Sequence, residues 1–564
     1  MRAKEFADNQ FHASGDRLFC STCNIAVDHT RKDSCGKHLE TQGRKRRYKS
    51  LEESLSKKAK LQVSLSEALG QRSEAELEKE STLVSLVEAF AAANIPLHTL
   101  DNPKLRMFLQ SNMKSCGVIP WASNLRRNYL PKAFNVHVRN LKELLGGSRS
   151  VAIVCDETTD REDRYILNVL AIPCCEEVEE PTLKAFLLEC NVLESTNFKT
   201  VSDAVLKILQ RYEISPLRVS AFVTDNATYM NKAWKDSLKY IFLNGTHVTC
   251  TAHLLNLVCE EWVSSFRTVN KLVCSIKRAF TACPARKARF KQFLRDNGKI
   301  EKLPPVPVLT RWNSWFRAAL FHAEYLENYH EFFTKEMEGS SSSSLSETRD
   351  LCASPCVETQ LAQLREYAPR IMEALTKYES NEVSAHLVSE DMALLIEWLE
   401  VFAAHEGNLE VTRIALQKSA ERLRNYLSGE ATAKFRQPAA DFFRACRVFD
   451  PSNLSTTEIP AEFVIKNVRW FEDDNLAKAE LQLYLSRPEE LRASLHPVEF
   501  WVNAAPRFPN LAGIALSCLS VPVNSVAAER SFSQYSGVLR DDRRCIKSGN
   551  LSMYNMLYHN NEGI

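Results

Sequence analysis

Two aspartates in this chain each close a short apolar run. Residues 151–154 lead into Asp156 within VAIVCDETTD (151–160), and residues 219–224 lead into Asp225 within VSAFVTD. Runs of that length, rich in β-branched residues, are too short for helices and suit fully buried strands, so Asp156 is expected to emerge at the C-terminal end of a strand and Asp225 at the end of another. Two acids on neighbouring strands invite a hard divalent cation, Mg²⁺ or Mn²⁺, because such ions take oxygen ligands. The competing reading is that each Asp only caps a turn or the next helix. A third carboxylate, Glu529, is available at the edge of a helical face made by Ala528, Phe532, Tyr535 and Leu539, with Asn524 or Ser525 as the N-cap.

A softer site precedes these. The two-residue gap between Cys20 and Cys23 lets both thiolates reach one tetrahedral zinc from a tight knuckle, and His38 follows at finger-like spacing. The second histidine of a finger is missing, with Gly43 and Arg44 in its place. Cys35, three residues before His38 on the same helical face, could supply a fourth bond and give a Cys3His site. A degenerate finger without metal is the alternative. The following run, Arg44, Lys45, Arg46, Arg47 and Lys49, then KKAK, has the two-cluster form of a nuclear localisation signal and could also contact phosphates, or be a solvated helix face. Farther on, CTAHLLNLV sets Cys250 and His253 on one helical face, with no further ligands spaced to complete a second zinc site. Arg311 and Trp312 pair a phosphate-seeking guanidinium with a stacking ring.

The elements that must position these residues follow from periodicity. Segments 165–175 and 184–194 read as two more strands. Thr200 is expected to open a helix with Asp203 as capping-box partner, and the second aspartate strand comes next. Three strands, a helix, a strand ending in Asp and another helix is the order of a ribonuclease-H-like fold, in which carboxylates on adjacent strands share a metal. The fold class is therefore α/β plus all-α. The expected organisation is a zinc-finger-like module (1–49), a charged linker (50–80), a helical module (81–135) closed near Pro131, a ribonuclease-H-like core (145–317), a large helical insertion (318–500) and C-terminal helices (501–564). The serine run 339–346 has nothing to bury and is expected to be a mobile loop.

Composition bounds the rest. With 564 residues, 45% apolar and 25% charged, the chain has room for three or four globular cores, and its net charge of +2 excludes nothing. The start MRAKEFADNQ lacks a signal-peptide core and no apolar run approaches a membrane span, so an intracellular protein is expected, with most of its seventeen cysteines reduced and buried.

Together these residues resemble the hAT (hobo, Activator, Tam3) transposases. CDETTD and TDN are similar to the family's two catalytic-aspartate strands, CTAH to its Cys-x-x-His motif, RW to its arginine–tryptophan pair, and NSVAAERSFSQYSGVLRDDRR to its C-terminal dimerisation signature, which carries the catalytic glutamate. The resemblance implies that the 318–500 helices interrupt the core and that Glu529 returns to Asp156 and Asp225. It further implies phosphodiester cleavage and strand transfer with two Mg²⁺ ions about 4 Å apart, Asp156 bridging them and Asp225 and Glu529 each holding one. Trp312 would stabilise a flipped base, and Cys250 and His253 would line the DNA. LFCSTCN, NIPL and LRRNYLP additionally resemble the CGG-triplet-repeat-binding protein family. Two functions stay open: an active DNA transposase, and a domesticated, catalytically idle DNA-binding transcription regulator. Both imply a nuclear protein with double-stranded DNA and a second copy of itself as partners, and no membrane or small-molecule substrate. Self-association is also expected because the apolar faces of residues 508–560 exceed what a short terminal segment buries alone.

Overall fold

Alternation of buried and exposed residues near the N-terminus builds a small antiparallel sheet, β1 (Phe11–Ser14), β2 (Arg17–Cys20) and β3 (Ala26–Val27), in that order. A computed structural model describes the chain except for residues 1, 7–9, 114–116, 180, 308–312, 339–341, 428–436, 455–457, 487–494, 541–542, 544–545 and 562–564, with residues 2–3 and 54–75 described by backbone alone. The described chain forms two compact units, Met1–Val87 with Leu97–Leu125, and Glu88–Pro96 with Arg126–Ile564. In the first, the sheet and α1 (Lys32–Glu40) enclose Phe11, Leu18, Cys20 and Cys35. The long helix α2 (Gln42–Ala92) follows, then α3 (Pro103–Asn112), whose N-cap Asn102 accepts from the N–H groups of Lys104 and Leu105.

The second unit opens with α4 (Leu130–Gly147). Pro131 lies in its first turn, so it starts a helix where a closing residue was expected; a first-turn proline forfeits no helical hydrogen bond. A five-stranded sheet follows: β4 (Val151–Thr159), β5 (Tyr165–Pro173), β6 (Phe186–Leu193), β7 (Val219–Thr224) and β8 (Thr246–Thr249), ordered β6-β5-β4-β7-β8. The β6-β5-β4 half is antiparallel and the β4-β7-β8 half parallel. Between β6 and β7 runs α5 (Phe198–Arg211), which starts earlier than expected: its capping box uses Asn197 and Thr200, not Thr200 and Asp203. Asn197 accepts from the Thr200 N–H, and that exchange fixes the start. α6 (Thr228–Asp236) follows β7.

Helices α7 (Thr251–Ser265), α8 (Arg267–Ala282) and α9 (Pro284–Asp296) lead away from β8. Beyond them come α10 (Ser314–Met337), α11 (Ser343–Cys352), α12 (Pro355–Tyr378), α13 (Val388–Ala403) and α14 (Glu410–Leu427), then shorter helices as far as Leu485. The serine run differs from expectation, because residues 343–346 are already helical and Leu345 is buried. One apolar anchor is enough to recruit the serines into α11. The remainder of the run, 339–341, lies outside the described residues.

The C-terminal helices are α15 (Pro509–Leu519), α16 (Val526–Val538) and α17 (Ser548–His559). α16 packs on β4 and β5, and α17 on β6 and α4. Asn560, just beyond α17, accepts from the Leu187 N–H and donates to its carbonyl, both on β6. α16 and α17 thus set part of their apolar faces against this chain's own sheet, while every residue from Leu511 to Leu519 on α15 is buried among neighbouring helices. Each described cysteine is free, and most are buried. Among the described residues no helix is long and apolar enough to cross a membrane.

Candidate functional site

Two clusters of ligand-type side chains emerge, one in each unit. In the first, the chain reverses directly after β2: the Cys20 carbonyl accepts from Asn24 N at 2.8 Å, the Cys20 N–H donates to Ile25 O at 3.0 Å, and Asn24 takes a left-handed φ of 50°. Asn tolerates that conformation better than most residues. The reversal returns Cys23 to Cys20, and α1 brings His38, whose Nε2 lies 3.0 Å from Cys23 Sγ. The ligand atoms of Cys20, Cys23 and His38 all lie within 4.8 Å of one another. Burial alone would raise the Cys20 thiol, but the N–H groups of Cys23 and Thr22 and the side chains of Cys23 and His38 bring it down to about 6. Burial and the Cys20 sulfur push Cys23 up. At neutral pH the pair thus holds one thiolate, and the set could bind a soft-ligand metal such as zinc.

Cys35 sits on α1 as expected, but its thiol donates to the Asp28 carbonyl at 3.6 Å and it packs in the core beside Phe11 and Leu18, outside the grouped ligand atoms. The basic run is only partly available. Arg47 donates to the Cys23 carbonyl at 3.0 Å, Arg44 to the Leu39 carbonyl at 3.5 Å, while Lys45, Arg46 and Lys49 are exposed.

The second cluster is acidic. Val154 pairs with Val223 in the parallel β4–β7 ladder, so Asp156 and Asp225, two residues farther along, are neighbours at one end of the sheet. Only β7 ends there. β4 continues to Thr159 because β5 still pairs with it, and Asp156 stands opposite Asn168. Asp156 accepts from the Glu157 N–H at 2.9 Å within β4, and Asp225 accepts from the Ala227 N–H at 3.1 Å in the turn after β7. Glu529 projects from the first turn of α16, its Oε1 3.5 Å from His253 Nε2. His253 sits in the first turn of α7, directly after the N-cap Cys250. That start is clamped by Gln437, which accepts from Thr249 N at 3.0 Å and donates to Thr249 O at 2.6 Å.

The electrostatics tie the cluster together. Burial, then the charges of Asp225 and Glu529, push Asp156 up to about 8 against the opposing pull of His253. Burial likewise raises Asp225, and it carries Glu529 to about 8. Burial would depress His253, but Cys250, Glu529 and Asp156 hold it at about 10. Three carboxylates from three separate elements are thus short of positive charge, and they fit a hard divalent cation by donor type. Their ligand atoms do not all lie within 4.8 Å of one another: among the described residues only the Cys20–Cys23–His38 set meets that distance. Cys250 was expected to line DNA, yet it is 2% exposed and accepts from the Ser525 N–H at 3.3 Å. It faces His253, not solvent. Arg311 and Trp312 lie outside the described residues.

Several supporting residues escaped sequence reasoning. Asn168 donates to Ser531 Oγ at 2.6 Å, fastening β5 to α16 two residues beyond Glu529. Tyr535 of the same helix donates to Asp160 at 3.1 Å, and Arg164 donates to the same carboxylate at 2.8 Å. Tyr229 donates to Glu157 at 2.8 Å. Only strand register could have revealed Asn168, since nothing in its own neighbourhood marks it.

Comparison with known proteins places three segments. Residues 1–50 match the family model of the CGGBP1 N-terminal domain, 73–132 the CGGBP1 helical domain and 480–560 the hAT family C-terminal dimerisation region. CGG triplet repeat-binding protein 1 of Mus musculus and of Homo sapiens are each 36% identical to the chain over 133 residues, 24% of this chain and 78% of each relative.

Proposed function

Because the chain belongs to the family of CGG triplet repeat-binding protein 1 and carries a hAT family C-terminal dimerisation region, we propose that it is a nuclear, self-associating protein that binds double-stranded DNA and cleaves it at a metal-dependent Asp-Asp-Glu site. The finger-like module with Lys45, Arg46 and Lys49 grips the duplex. The ribonuclease-H-like core, whose sheet order β6-β5-β4-β7-β8 supports that reading, carries the chemistry. The helices after residue 317 separate its two parts in sequence.

One observation carries the catalytic half: Asp156 within β4, Asp225 just past β7 and Glu529 on a helix far along the chain gather near His253, and the charges of Asp225 and Glu529 both raise Asp156. Asp156, Asp225 and Glu529 would hold Mg²⁺ or Mn²⁺, which supplies an activated attacking oxygen and stabilises the leaving one. The chain's own part is to keep the three acids in register, Asp156 and Asp225 through the β4–β7 ladder and Glu529 through the Asn168–Ser531 bond. His253, with Arg530 more weakly, offsets the charge of Glu529.

A second reading, an idle DNA-binding regulator on the same scaffold, is favoured by the spacing of the three acids, whose ligand atoms do not all come within 4.8 Å of one another, and by the relatives' match to the N-terminal segments. The deciding experiment is a gel-resolved cleavage assay on a labelled duplex with Mg²⁺ or Mn²⁺, beside a binding titration at fixed salt. Tight binding without metal-dependent cleavage would leave only the regulator.

A further inference from the structure

The chain as a whole carries a charge of +2, yet residues 267–302 hold eleven Lys or Arg against two carboxylates, Asp296 and Glu301. All of the excess sits on α8, α9 and the turn after them. On α8, Arg267, Lys271 and Arg278 recur at i, i+4 and i+11 and share one exposed face; on α9, Lys287, Lys291 and Arg295 recur at i, i+4 and i+8. Four residues of helix rise about 6 Å, so each face presents a regular ladder of cations.

Part of this charge is spent internally. Lys271 pairs with Glu347, Arg286 and Arg289 with Glu336, and Arg295 with Glu301. Arg278, Lys287, Lys291, Lys299 and Lys302 have no ion-pair partner among the described residues and are exposed. The two helices pack on each other through Phe280 and Phe290, and Lys277 and Lys287 line the same small cavity of about 80 Å³ with Leu303 and Pro304, where Lys277 donates to the Pro307 carbonyl at 3.2 Å.

The apolar residues of this region point the other way. Val273, Ile276, Phe280, Phe290, Phe293 and Leu294 are all buried. A protein partner would want an apolar or aromatic anchor at the centre of its interface, and single-stranded nucleic acid would want exposed rings to stack on. Neither is offered among the described residues of 267–302, where Ile300 is the one exposed large apolar side chain. What remains is a cationic surface suited to a regularly spaced anionic chain.

We propose that the exposed faces of α8 and α9, with Lys299 and Lys302, form a second, sequence-independent docking surface for the phosphate backbone of double-stranded DNA. The proposal rests on the reading of the protein as DNA-binding but not on cleavage. The surface lies in the same unit as the acidic cluster, so it would hold a duplex to that unit whichever sequence the finger-like module reads.

The test uses the full chain and a labelled duplex of arbitrary sequence, with affinity measured by fluorescence anisotropy across a salt series. Replacing Arg278, Lys287, Lys291 and Lys299 by Gln should remove three or four phosphate contacts, lowering the slope of log affinity against log salt by about 3 and the affinity near 0.1 M salt on the order of a hundredfold. The loss should be equal for unrelated duplex sequences, and a variant with the three lysines changed to Arg should retain parental affinity, which separates charge from folding. Unchanged slope and affinity in the Gln variant would overturn the proposal, as would a loss confined to single-stranded RNA. A separate Arg46→Gln/Lys49→Gln variant keeps the two readings apart. If it alone loses binding, the second surface is wrong and DNA binding stands; if the parent chain binds no duplex, both fall.

Discussion

The thiol–imidazole cluster and the acidic cluster solve opposite problems. Cys20, Cys23 and His38 come from nineteen consecutive residues and already stand within 4.8 Å of one another, with one thiolate favoured by local N–H groups. Asp156, Asp225 and Glu529 come from three distant segments, and burial keeps Asp156 and Glu529 near a pKa of 8. The first cluster is built by a turn and one helix. The second exists only if a sheet, an intervening set of helices and a returning helix all fold. Local geometry can hold a set of ligand atoms together by itself, whereas a group assembled across the chain is balanced by charges such as His253 that the fold brings to it.

The strongest way to break that contrast is at Asp156. On the proposed function, Asp156→Asn keeps the shape and removes the charge, so metal-dependent strand cleavage should fall on the order of a thousandfold or more while duplex affinity at fixed salt is unchanged. Equal loss of binding and cleavage would mean that the residue supports the fold only. At the other cluster, Cys23→Ser should lower zinc affinity roughly a hundredfold, read by competition with a chromophoric chelator, because a ligand is removed from a formed group. Cys35→Ser should still bind one zinc per chain, since that thiol serves the Asp28 carbonyl; a loss as large as for Cys23 would make Cys35 a ligand after all.

What the sequence disclosed follows the same division. The spacing of Cys20, Cys23 and His38 is itself the geometry, so the knuckle was legible, whereas the side on which Cys35 would fall depended on how α1 lies against β1 and β2. The strands at 151, 165, 186 and 219 were legible from their β-branched runs. The length of β4 was not, because residues 157–159 are polar and stay in the sheet only through pairing with β5. Thr200 was misread as a helix start because Asn197, a stronger cap, stands three residues earlier. Part of the apolar excess at the C-terminus is covered by the sheet of the same chain, while the match of 480–560 to the hAT family C-terminal dimerisation region points to self-association. Asn168 and Gln437 could not be found at all, since an isolated amide has no local signature.

A smaller effect sharpens the role of positioning. Asn168→Ala removes the buried bond to Ser531, whose hydroxyl still donates to the Ala528 carbonyl but loses the donor to its oxygen, so the unfolding free energy should drop by about 1–3 kcal/mol in denaturant titration. Cleavage should weaken about tenfold with metal affinity, as expected when a support behind a ligand is removed. A stability loss with metal affinity unchanged would show that the bond holds α16 without setting Glu529.

The smallest effect is in pH. Raised carboxyl pKa values mean that the folded chain binds protons the unfolded chain has already lost between pH about 4 and about 8. Without metal, stability should therefore fall as pH rises through that window, and Glu529→Gln should flatten the fall. The raised His253 and lowered Cys250 act in opposite directions on this pH dependence. Mg²⁺ titrated calorimetrically at pH 7 in buffers of different ionisation enthalpy should release protons from Asp156 and Glu529. Absence of proton release would mean that neither acid is a ligand.

The return of α16 to β4 and β5 also sets an order of events during synthesis. Asp156 and Asp225 leave the ribosome long before Glu529, and the amide that locks α17 against β6, Asn560, comes later still. While translation runs, the Cys20–Cys23–His38 group is complete before Glu529 has been made. On the proposed function, a chain that ended early in the 318–500 region would keep the finger-like module and lack the third acid, so it would compete for duplex without cutting it.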